Sequence, residues 1–174
     1  MKTTLSMFLA LLLVTTLAAQ DEVKEIELSN GNSILLGSIP EDALRQASYS
    51  NWYSTNYSQY FPDLDRISQF KEELKKYHIL VFMGTWCGDS QREVPRFMKI
   101  LDVAEFPEEQ VKLVAVDQRR EFYKQSPGGE EWGLNISRVP TFIFLKNGKE
   151  VDRIVEYPLN TLELDMEKIL LGMQ

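Results

Sequence analysis

The chain contains 174 residues, of which 44% are hydrophobic and 26% are charged, a composition typical of a globular protein rather than a disordered or fibrous one. Its formal net charge of −7 argues against nucleic acid or an anionic membrane surface as a partner, because both would repel it. The single cysteine excludes an internal disulfide and a four-thiolate metal site, and the single histidine excludes a His-rich metal centre. We therefore expect no metal and no bound cofactor.

Residues 1–19 have the layout of a secretory signal peptide. Lys2 gives a positive start, the run from Leu5 to Val14 is almost wholly apolar, and Leu17-Ala18-Ala19 is a small-residue exit. The apolar run is shorter than the roughly 20 residues of a membrane-spanning helix, so we expect cleavage and no stable membrane anchor. The sequence thus predicts export to the periplasm or the extracellular space, where the mature chain carries one unpaired thiol.

Residues 20–62 are interpreted as an N-terminal extension. Alternation over 23–28, the turn signal Asn30-Gly31 and the apolar run at 33–36 predict a hairpin. Pro40-Glu41-Asp42 indicates the start of a helix over 41–48. The stretch 49–61 holds six aromatic residues, which we interpret as a strap packed on the main domain with its hydroxyl groups reaching solvent. A ligand or partner surface is the alternative interpretation of this stretch.

Residues 63–174 show a regular succession of helical and strand patterns. Helical spacing is present over 64–74, 89–104 and 162–170, and apolar strand patterns cover 79–83, 111–116, 141–145 and 150–155. The predicted order is α-β-α-β-α-β-β-α, which places one more helix between the strands 111–116 and 141–145. Such an order predicts an α/β fold, a three-layer α/β/α sandwich with helices on both faces of a central mixed sheet.

Three motifs in this region carry a resemblance to a known family. They are Trp86-Cys87-Gly88-Asp89-Ser90, Val139-Pro140-Thr141-Phe142 and Lys146-Asn147-Gly148-Lys149. With Pro95 eight residues after the cysteine, they resemble the thioredoxin family over residues 63–172. The resemblance implies a thioredoxin-like fold, a cis peptide bond before Pro140, and contact between Pro140 and Cys87. It also implies that the backbone of Val139 pairs with an extended substrate.

Cys87 is the candidate nucleophile, since it stands where a buried strand ends and a helix begins. The free N–H groups and the positive dipole end of a helix favour a thiolate at that point. We expect Trp86 to shield one side of the sulfur, and Gly88 to allow a tight turn and the close approach of a substrate. The carboxylate of Asp89 opposes thiolate formation, although it suits a helix N-terminus.

The chain departs from the family pattern at Ser90, three residues after Cys87. Ser90 occupies the place of the second cysteine, which releases the substrate in the family. A hydroxyl cannot attack a disulfide in place of a thiolate, but it can donate a hydrogen bond to the Cys87 thiolate. Val81 and Leu113 stand where the family has a buried aspartate and a lysine that move protons for the second cysteine. An external thiol must therefore resolve any mixed disulfide formed at Cys87.

The leading hypothesis is monothiol thiol–disulfide exchange, with protein or small-molecule disulfides and thiols as partners. A non-catalytic binding module on a thioredoxin scaffold is the alternative. A peroxidase is disfavoured because Gly84 stands where peroxide-reducing relatives have a threonine, with Thr85 out of register. A monothiol glutaredoxin with an iron–sulfur cluster is disfavoured because an exported protein meets little glutathione. His78 begins the central strand, so we expect it on the far side of the sheet and not as a base for Cys87.

Overall fold

The computed structural model describes residues 23–173, so the predicted signal peptide at residues 1–19 lies outside the described residues. Within the described range, six strands form one mixed sheet in the order β1-β2-β4-β3-β5-β6. The strands are β1 (Lys24–Glu27), β2 (Ser33–Ile39), β3 (His78–Met83), β4 (Val111–Ala115), β5 (Thr141–Lys146) and β6 (Lys149–Val155). The α-helices are α1 (Ser50–Gln59), α2 (Leu64–Leu74), α3 (Gly88–Val103) and α4 (Leu162–Leu171). Over residues 23–173, every helix is too short or too polar to cross a bilayer.

Strand β3 lies in the middle of the sheet. It runs parallel to β4 and antiparallel to β5, while the pairs β1–β2, β2–β4 and β5–β6 are antiparallel. A strand with neighbours on both sides is buried on both faces, which suits the nearly continuous apolar run from Ile79 to Met83. The strand ends at Met83, four residues before Cys87, so the cysteine lies beyond the carboxyl end of a central strand.

Alternate side chains of the central strands point to opposite faces of the sheet. The odd-numbered residues Ile79, Val81 and Met83 belong to the larger hydrophobic cluster, which also contains buried side chains from all four α-helices. The even-numbered Phe82 belongs to a smaller cluster on the other face, together with Val114. The predicted α/β class and mixed central sheet are therefore confirmed.

The helix expected between β4 and β5 does not form, and that prediction is wrong. Residues 117–140 contain one short 3₁₀ turn at Arg120–Phe122 and are otherwise irregular. Lys124 and Asn135 have φ of 60° and 53°, and Gly129 and Gly133 have φ of 70° and 78°, which a right-handed helix cannot contain. The irregular segment itself covers the second face of the sheet, since its Leu134 and Ile136 pack against the smaller cluster.

The N-terminal region is integrated into the same sheet. The predicted hairpin forms, and β2 also pairs with β4, so residues 33–39 are a strand of the main sheet. The helix expected over 41–48 is reduced to a 3₁₀ turn at Glu41–Arg45. The predicted aromatic strap is largely helical, because α1 occupies its centre with Tyr53 fully buried. Residues before and after position 62 share one core, while the domain boundary placed there stays a prediction.

Tyrosine hydroxyl groups around α1 donate to carboxylates instead of reaching solvent, which corrects the sequence expectation. The four pairs are Tyr49 with Glu25, Tyr53 with Glu41, Tyr57 with Asp102, and Tyr60 with Glu163. The acceptors lie on β1, the 3₁₀ turn, α3 and α4. These hydrogen bonds therefore join the aromatic stretch to four other parts of the fold.

Candidate active site

Cys87 is the residue immediately before α3. Its backbone is extended, with φ −93° and ψ 124°, and its carbonyl accepts the N–H of Gln91 at 2.9 Å. The Cys87 N–H donates to the carbonyl of Gly84 at 2.9 Å, so the loop between β3 and α3 is one tight turn. The side chain is partly exposed. A helix start has N–H groups without intrahelical partners, and these stabilise a negative charge placed at that end.

The loop before β5 lies against the sulfur. The Cys87 thiol donates to the carbonyl oxygen of Val139 at 3.3 Å, and the Val139–Pro140 peptide bond is cis. The loop is fixed by the Thr141 hydroxyl, which donates to the carbonyl of Arg138 at 2.7 Å. It is also held by the Glu156 N–H, which donates to the carbonyl of Pro140 at 2.7 Å. Among residues 23–173 the Val139 N–H donates to no backbone or side-chain acceptor, and the residue is 3% exposed.

The indole of Trp86 forms a wall beside Cys87. Its Nε1–H donates to the carbonyl of Val116 at 2.9 Å, and the Tyr123 ring lies 5.7 Å away between centroids. Behind the indole, a Cβ built on Gly84 would lie 2.6 Å from Cε2 of Trp86. Only glycine leaves the indole in this position, so Gly84 sets the place of Trp86.

Ser90 lies in the first turn of α3 and is fully buried. Its Oγ accepts the N–H of Gly84 at 3.2 Å, which ties the helix to the end of β3. Within the described chain, the Sγ of Cys87 has Val139 as its hydrogen-bond partner and not Ser90. The hydrogen bond that we expect between Ser90 and the Cys87 thiolate therefore stays a prediction.

Gly88 and Asp89 begin α3. The φ of Gly88 lies outside the left-handed region and the space around its Cα is open, while its expected role in a tight turn stays a prediction. Asp89 forms an ion pair with Arg92 at 2.7 Å, and Arg92 also contacts Glu93 at 2.5 Å. Hydrogen bonds to Glu93 and Asp89 raise the pKa of the Arg92 guanidinium and keep it cationic. Arg92 is therefore shared between two carboxylates, and it offsets part of the negative charge of Asp89, two residues after Cys87.

The two positions where the family has proton-handling groups are neighbours in the sheet. Val81 of β3 pairs directly with Leu113 of β4. Their exposed fractions are 0% and 3%, and both belong to the larger hydrophobic cluster. An apolar contact therefore replaces the acid and base that the resemblance places beneath the active-site helix. No titratable side chain at these two positions could deliver a proton to a leaving thiolate.

His78 begins β3 at the end opposite Cys87 and is exposed, as the length of the strand predicts. Within residues 23–173, no three His, Cys, Asp or Glu side chains are grouped so that they could hold a metal ion.

Sequence reasoning missed three residues that support the site. Thr85 Oγ1 accepts the N–H of Leu35 at 3.2 Å, which attaches the active-site loop to β2. This structural role of the hydroxyl gives the peroxidase alternative no support. The side chain of Gln91 donates to the carbonyl of Thr85 at 2.7 Å. Tyr123 supports Trp86. The contacts made by Leu35 and Tyr123 join distant parts of the sequence, which local patterns do not predict. For Tyr123, the only signal in the sequence was the aromatic pair at 122–123 within a polar segment.

Comparison with known proteins gives consistent matches. The model of the family described as "Thioredoxin" matches residues 41–168. A "Thioredoxin H-type" of Picea mariana is 33% identical over 91 residues, which cover 52% of this chain and 65% of that protein. A "Thioredoxin" of Malassezia sympodialis is 30% identical over 89 residues, covering 50% of this chain and 77% of that protein. The "TPR repeat-containing thioredoxin TDX" of Arabidopsis thaliana is 30% identical, and the match spans 24% of its length.

Among solved structures, the thioredoxin of Fasciola hepatica matches with 22% identity and a TM-score of 0.38, covering 62% of this chain and 89% of that one. The family match spans well over half of the chain and includes the strands, the helix and the two loops that surround Cys87. The chain therefore belongs to the thioredoxin family.

Proposed function

We propose that this protein is an exported monothiol thiol–disulfide exchange protein in which Cys87 forms a mixed disulfide that an external thiol resolves. The observation that carries the proposal is the placement of the Cys87 sulfur, partly exposed at the start of α3 and 3.3 Å from the carbonyl of Val139. Membership of the thioredoxin family supports thiol–disulfide redox chemistry in general. The signal-like residues 1–19 support export to the periplasm or the extracellular space.

The proposed reaction has two exchange steps. The Cys87 thiolate attacks one sulfur of a substrate disulfide, so that a new S–S bond forms at Cys87 while the substrate S–S bond breaks. The departing substrate thiolate takes a proton from water. An external thiolate then attacks the mixed disulfide, forms a disulfide with the substrate, and regenerates the Cys87 thiolate. Ser90 has no part in bond breaking, because its hydroxyl is not a nucleophile toward sulfur.

The substrate backbone has a defined place in this scheme. Within the described chain the Val139 N–H donates to no acceptor, and the Val139 carbonyl loses its donor once the Cys87 proton is lost. An extended chain laid along the loop before β5 can use both groups as an added strand does. The open space over Gly88 leaves room for the substrate sulfur to approach.

A binding module without redox turnover is the second candidate. The apolar Val81–Leu113 pair favours it, since no side chain at these positions handles a proton for a leaving thiolate. In such a module, Val139 and the open surface at Gly88 hold a partner without reaction at sulfur.

The deciding experiment compares the reaction of a small disulfide with wild-type protein and with C87S and S90C. We expect the wild type to form a mixed disulfide but to turn over only with an added thiol. The C87S variant should form none. Without an added thiol, the S90C variant should release both thiols of the small disulfide once per protein molecule. A thiol three residues after Cys87 attacks the mixed disulfide, frees the bound half as a thiolate and leaves an intramolecular disulfide with Cys87.

The control is S54C, which places a thiol on the exposed surface of α1. Release of the second thiol by S54C to the same extent as by S90C would contradict the proposed geometry. A wild-type Cys87 that does not react with the small disulfide would leave only the binding module.

A further inference from the structure

A polar cleft opens beside the two residues that precede Cys87. It has a volume of about 510 Å³, within the range of about 300–1,000 Å³ that is usual for ligand sites. Its walls come from the β1–β2 turn, the residues that lead into α1, and Thr85 and Trp86 of the active-site loop. Thr85 and Trp86 directly precede Cys87, so the cleft lies beside the active-site loop, although Cys87 itself is not part of its lining.

The chemistry of the cleft is neutral and polar. Its lining contains no Asp, Glu, Lys or Arg, although 26% of the whole chain is charged. Amide and hydroxyl side chains dominate it: Asn30, Asn32, Gln91, Gln118, Ser33 and Ser48. Another large cleft of the described chain, near residues 38–42, is lined by four carboxylates and two cations. A charged ligand group would find no counter-charge in the neutral cleft, and burying a charge without a partner is costly.

The aromatic residues of the cleft are held in place. The Tyr49 hydroxyl donates to Glu25 at 2.7 Å, and the ring of Tyr49 lies edge-on to Trp52, with centroids 6.5 Å apart. Trp86 is fixed by its bond to Val116. Strand β2, which follows the turn, and the active-site loop are joined through Leu35 and Thr85. The cleft is therefore largely preformed, which lowers the entropy cost of binding.

The lining points to a polypeptide ligand. Tyr, Trp, Ser, Gly and Asn are the residues that antibody loops use against proteins, since rigid aromatic rings give area and small polar side chains give adaptable hydrogen bonds. The cleft also adjoins the active-site loop, since Thr85 and Trp86 line it and directly precede Cys87, where a protein disulfide would react. The β1–β2 turn, which forms one wall, precedes the family match at residues 41–168, so this wall is a feature of this chain.

We propose that this cleft holds a neutral polar segment of a protein substrate, rich in Asn, Gln, Ser or Thr, that flanks the substrate's disulfide. The proposal rests on the proposed exchange reaction at Cys87. The cleft acts as a specificity site, because it selects the sequence around the disulfide without touching the reacting sulfur atoms.

The first test measures exchange rates with three synthetic peptides. Each carries one cysteine as a mixed disulfide with a coloured aromatic thiol, flanked by neutral polar, acidic or basic residues. Cys87 attacks the peptide sulfur, and the aromatic thiolate leaves with the electron pair of the broken S–S bond. We expect the neutral peptide to react about tenfold faster than the others, equivalent to about 1.4 kcal/mol. Equal rates for the three peptides would overturn the proposal.

Variants of the lining sharpen this test. N32D and Q118E each place a carboxylate in the cleft with little change of shape. They should slow the neutral peptide several-fold and leave exchange with the symmetric aromatic disulfide unchanged. N147D is the matched control, because Asn147 lies in the β5–β6 turn at the other end of the sheet. If N32D slows the small disulfide as much as the peptide, the cleft has no role in selection.

A binding measurement separates this inference from the exchange reaction. Trp52 and Trp86 line the cleft, whereas Trp132 is 81% exposed and does not. In C87S/W132F protein, the neutral peptide with serine in place of cysteine should therefore shift the tryptophan fluorescence. A shift together with an unreactive Cys87 would refute the exchange function and keep the cleft. A reactive Cys87 without a fluorescence shift would refute only the proposal that the cleft binds the peptide. A shift produced by a neutral glucose trisaccharide but not by the peptide would refute it as well.

Discussion

The two faces of the central sheet are covered in different ways. On the larger cluster, the helices supply fully buried side chains such as Phe70, Phe97 and Met166. On the smaller cluster, the cover is the irregular segment between β4 and β5, whose Leu134 and Ile136 are only partly buried. Buried apolar area is therefore concentrated on the helical face, and we expect most of the folding stability there.

The candidate site belongs mainly to the thinly covered face. Trp86 and Cys87 pack against the smaller cluster, and the segment beside them exposes Tyr123 by 51%. Segments with few buried contacts open at lower free energy than the core does. The sheet and α3 therefore position the sulfur of Cys87. The side of the site that must admit a substrate is covered by an irregular segment with fewer buried side chains.

The largest effect that distinguishes the two faces is expected from truncation of Phe97. This ring is fully buried, and its centroid lies 4.4 Å from that of Phe142. Replacing it by alanine should cost about 3–5 kcal/mol of unfolding free energy, since a large buried ring leaves a cavity. L134A removes a partly buried side chain on the other face and should cost less than about 2 kcal/mol. Urea unfolding of both variants measures the difference.

F97L replaces F97A if the alanine variant does not fold. Its loss of unfolding free energy should lie between the losses of L134A and F97A. Equal losses for L134A and F97A would show that the irregular segment supports the fold as strongly as the helices do.

Sequence patterns predicted most of the helical face. The apolar run at 79–83 and the periodic helices at 64–74 and 89–104 are signals of local origin, and each forms close to its expected bounds. The cysteine at the start of α3 followed from the same signals, because the end of a buried strand and the start of a helix are both visible in the sequence. Val81 and Leu113, where the resemblance implies an aspartate and a lysine, are direct partners in the sheet.

The other face was not predictable in the same way. The segment between β4 and β5 was assigned a helix from topology alone, and positive φ values at Lys124 and Asn135 prevent it. The contact of Thr85 with Leu35 joins residues 50 positions apart, and no local pattern encodes such a pair. Tyrosine hydroxyls paired with carboxylates escaped prediction for the same reason, since their acceptors lie far along the chain.

A pair of glycines tests how firmly Trp86 is placed on the thin face. In G84A the new methyl group would lie 2.6 Å from the indole, so Trp86 must shift from Val116. We expect a loss of about 1–3 kcal/mol, as for other overpacked sites, and a red shift of the tryptophan fluorescence. In G88A the methyl group meets open space, and the change should be neutral or stabilising by up to about 1 kcal/mol. An unchanged fluorescence spectrum in G84A would show that the indole is not fixed.

The smallest expected effect is on the stability of the fold at alkaline pH, through a tyrosine of the helical face. Burial, followed by the hydrogen bond to Asp102, raises the pKa of Tyr57 from 10 to about 12. The folded state thus favours the protonated hydroxyl, so the stabilisation is complete below pH 10 and is lost as the pH rises from 10 to 12. Y57F should therefore lose less stability than the wild type between pH 9 and pH 11, measured as the urea midpoint.

The matched control is Y123F, because the Tyr123 hydroxyl makes no hydrogen bond to any residue in the range 23–173 and its ring is half exposed on the thin face. Its midpoint should fall with pH as the wild-type midpoint does. If Y123F flattened the alkaline decline as much as Y57F does, the decline would not originate in the tyrosine–carboxylate pairs around α1, and alkaline unfolding would begin on the face that carries Cys87.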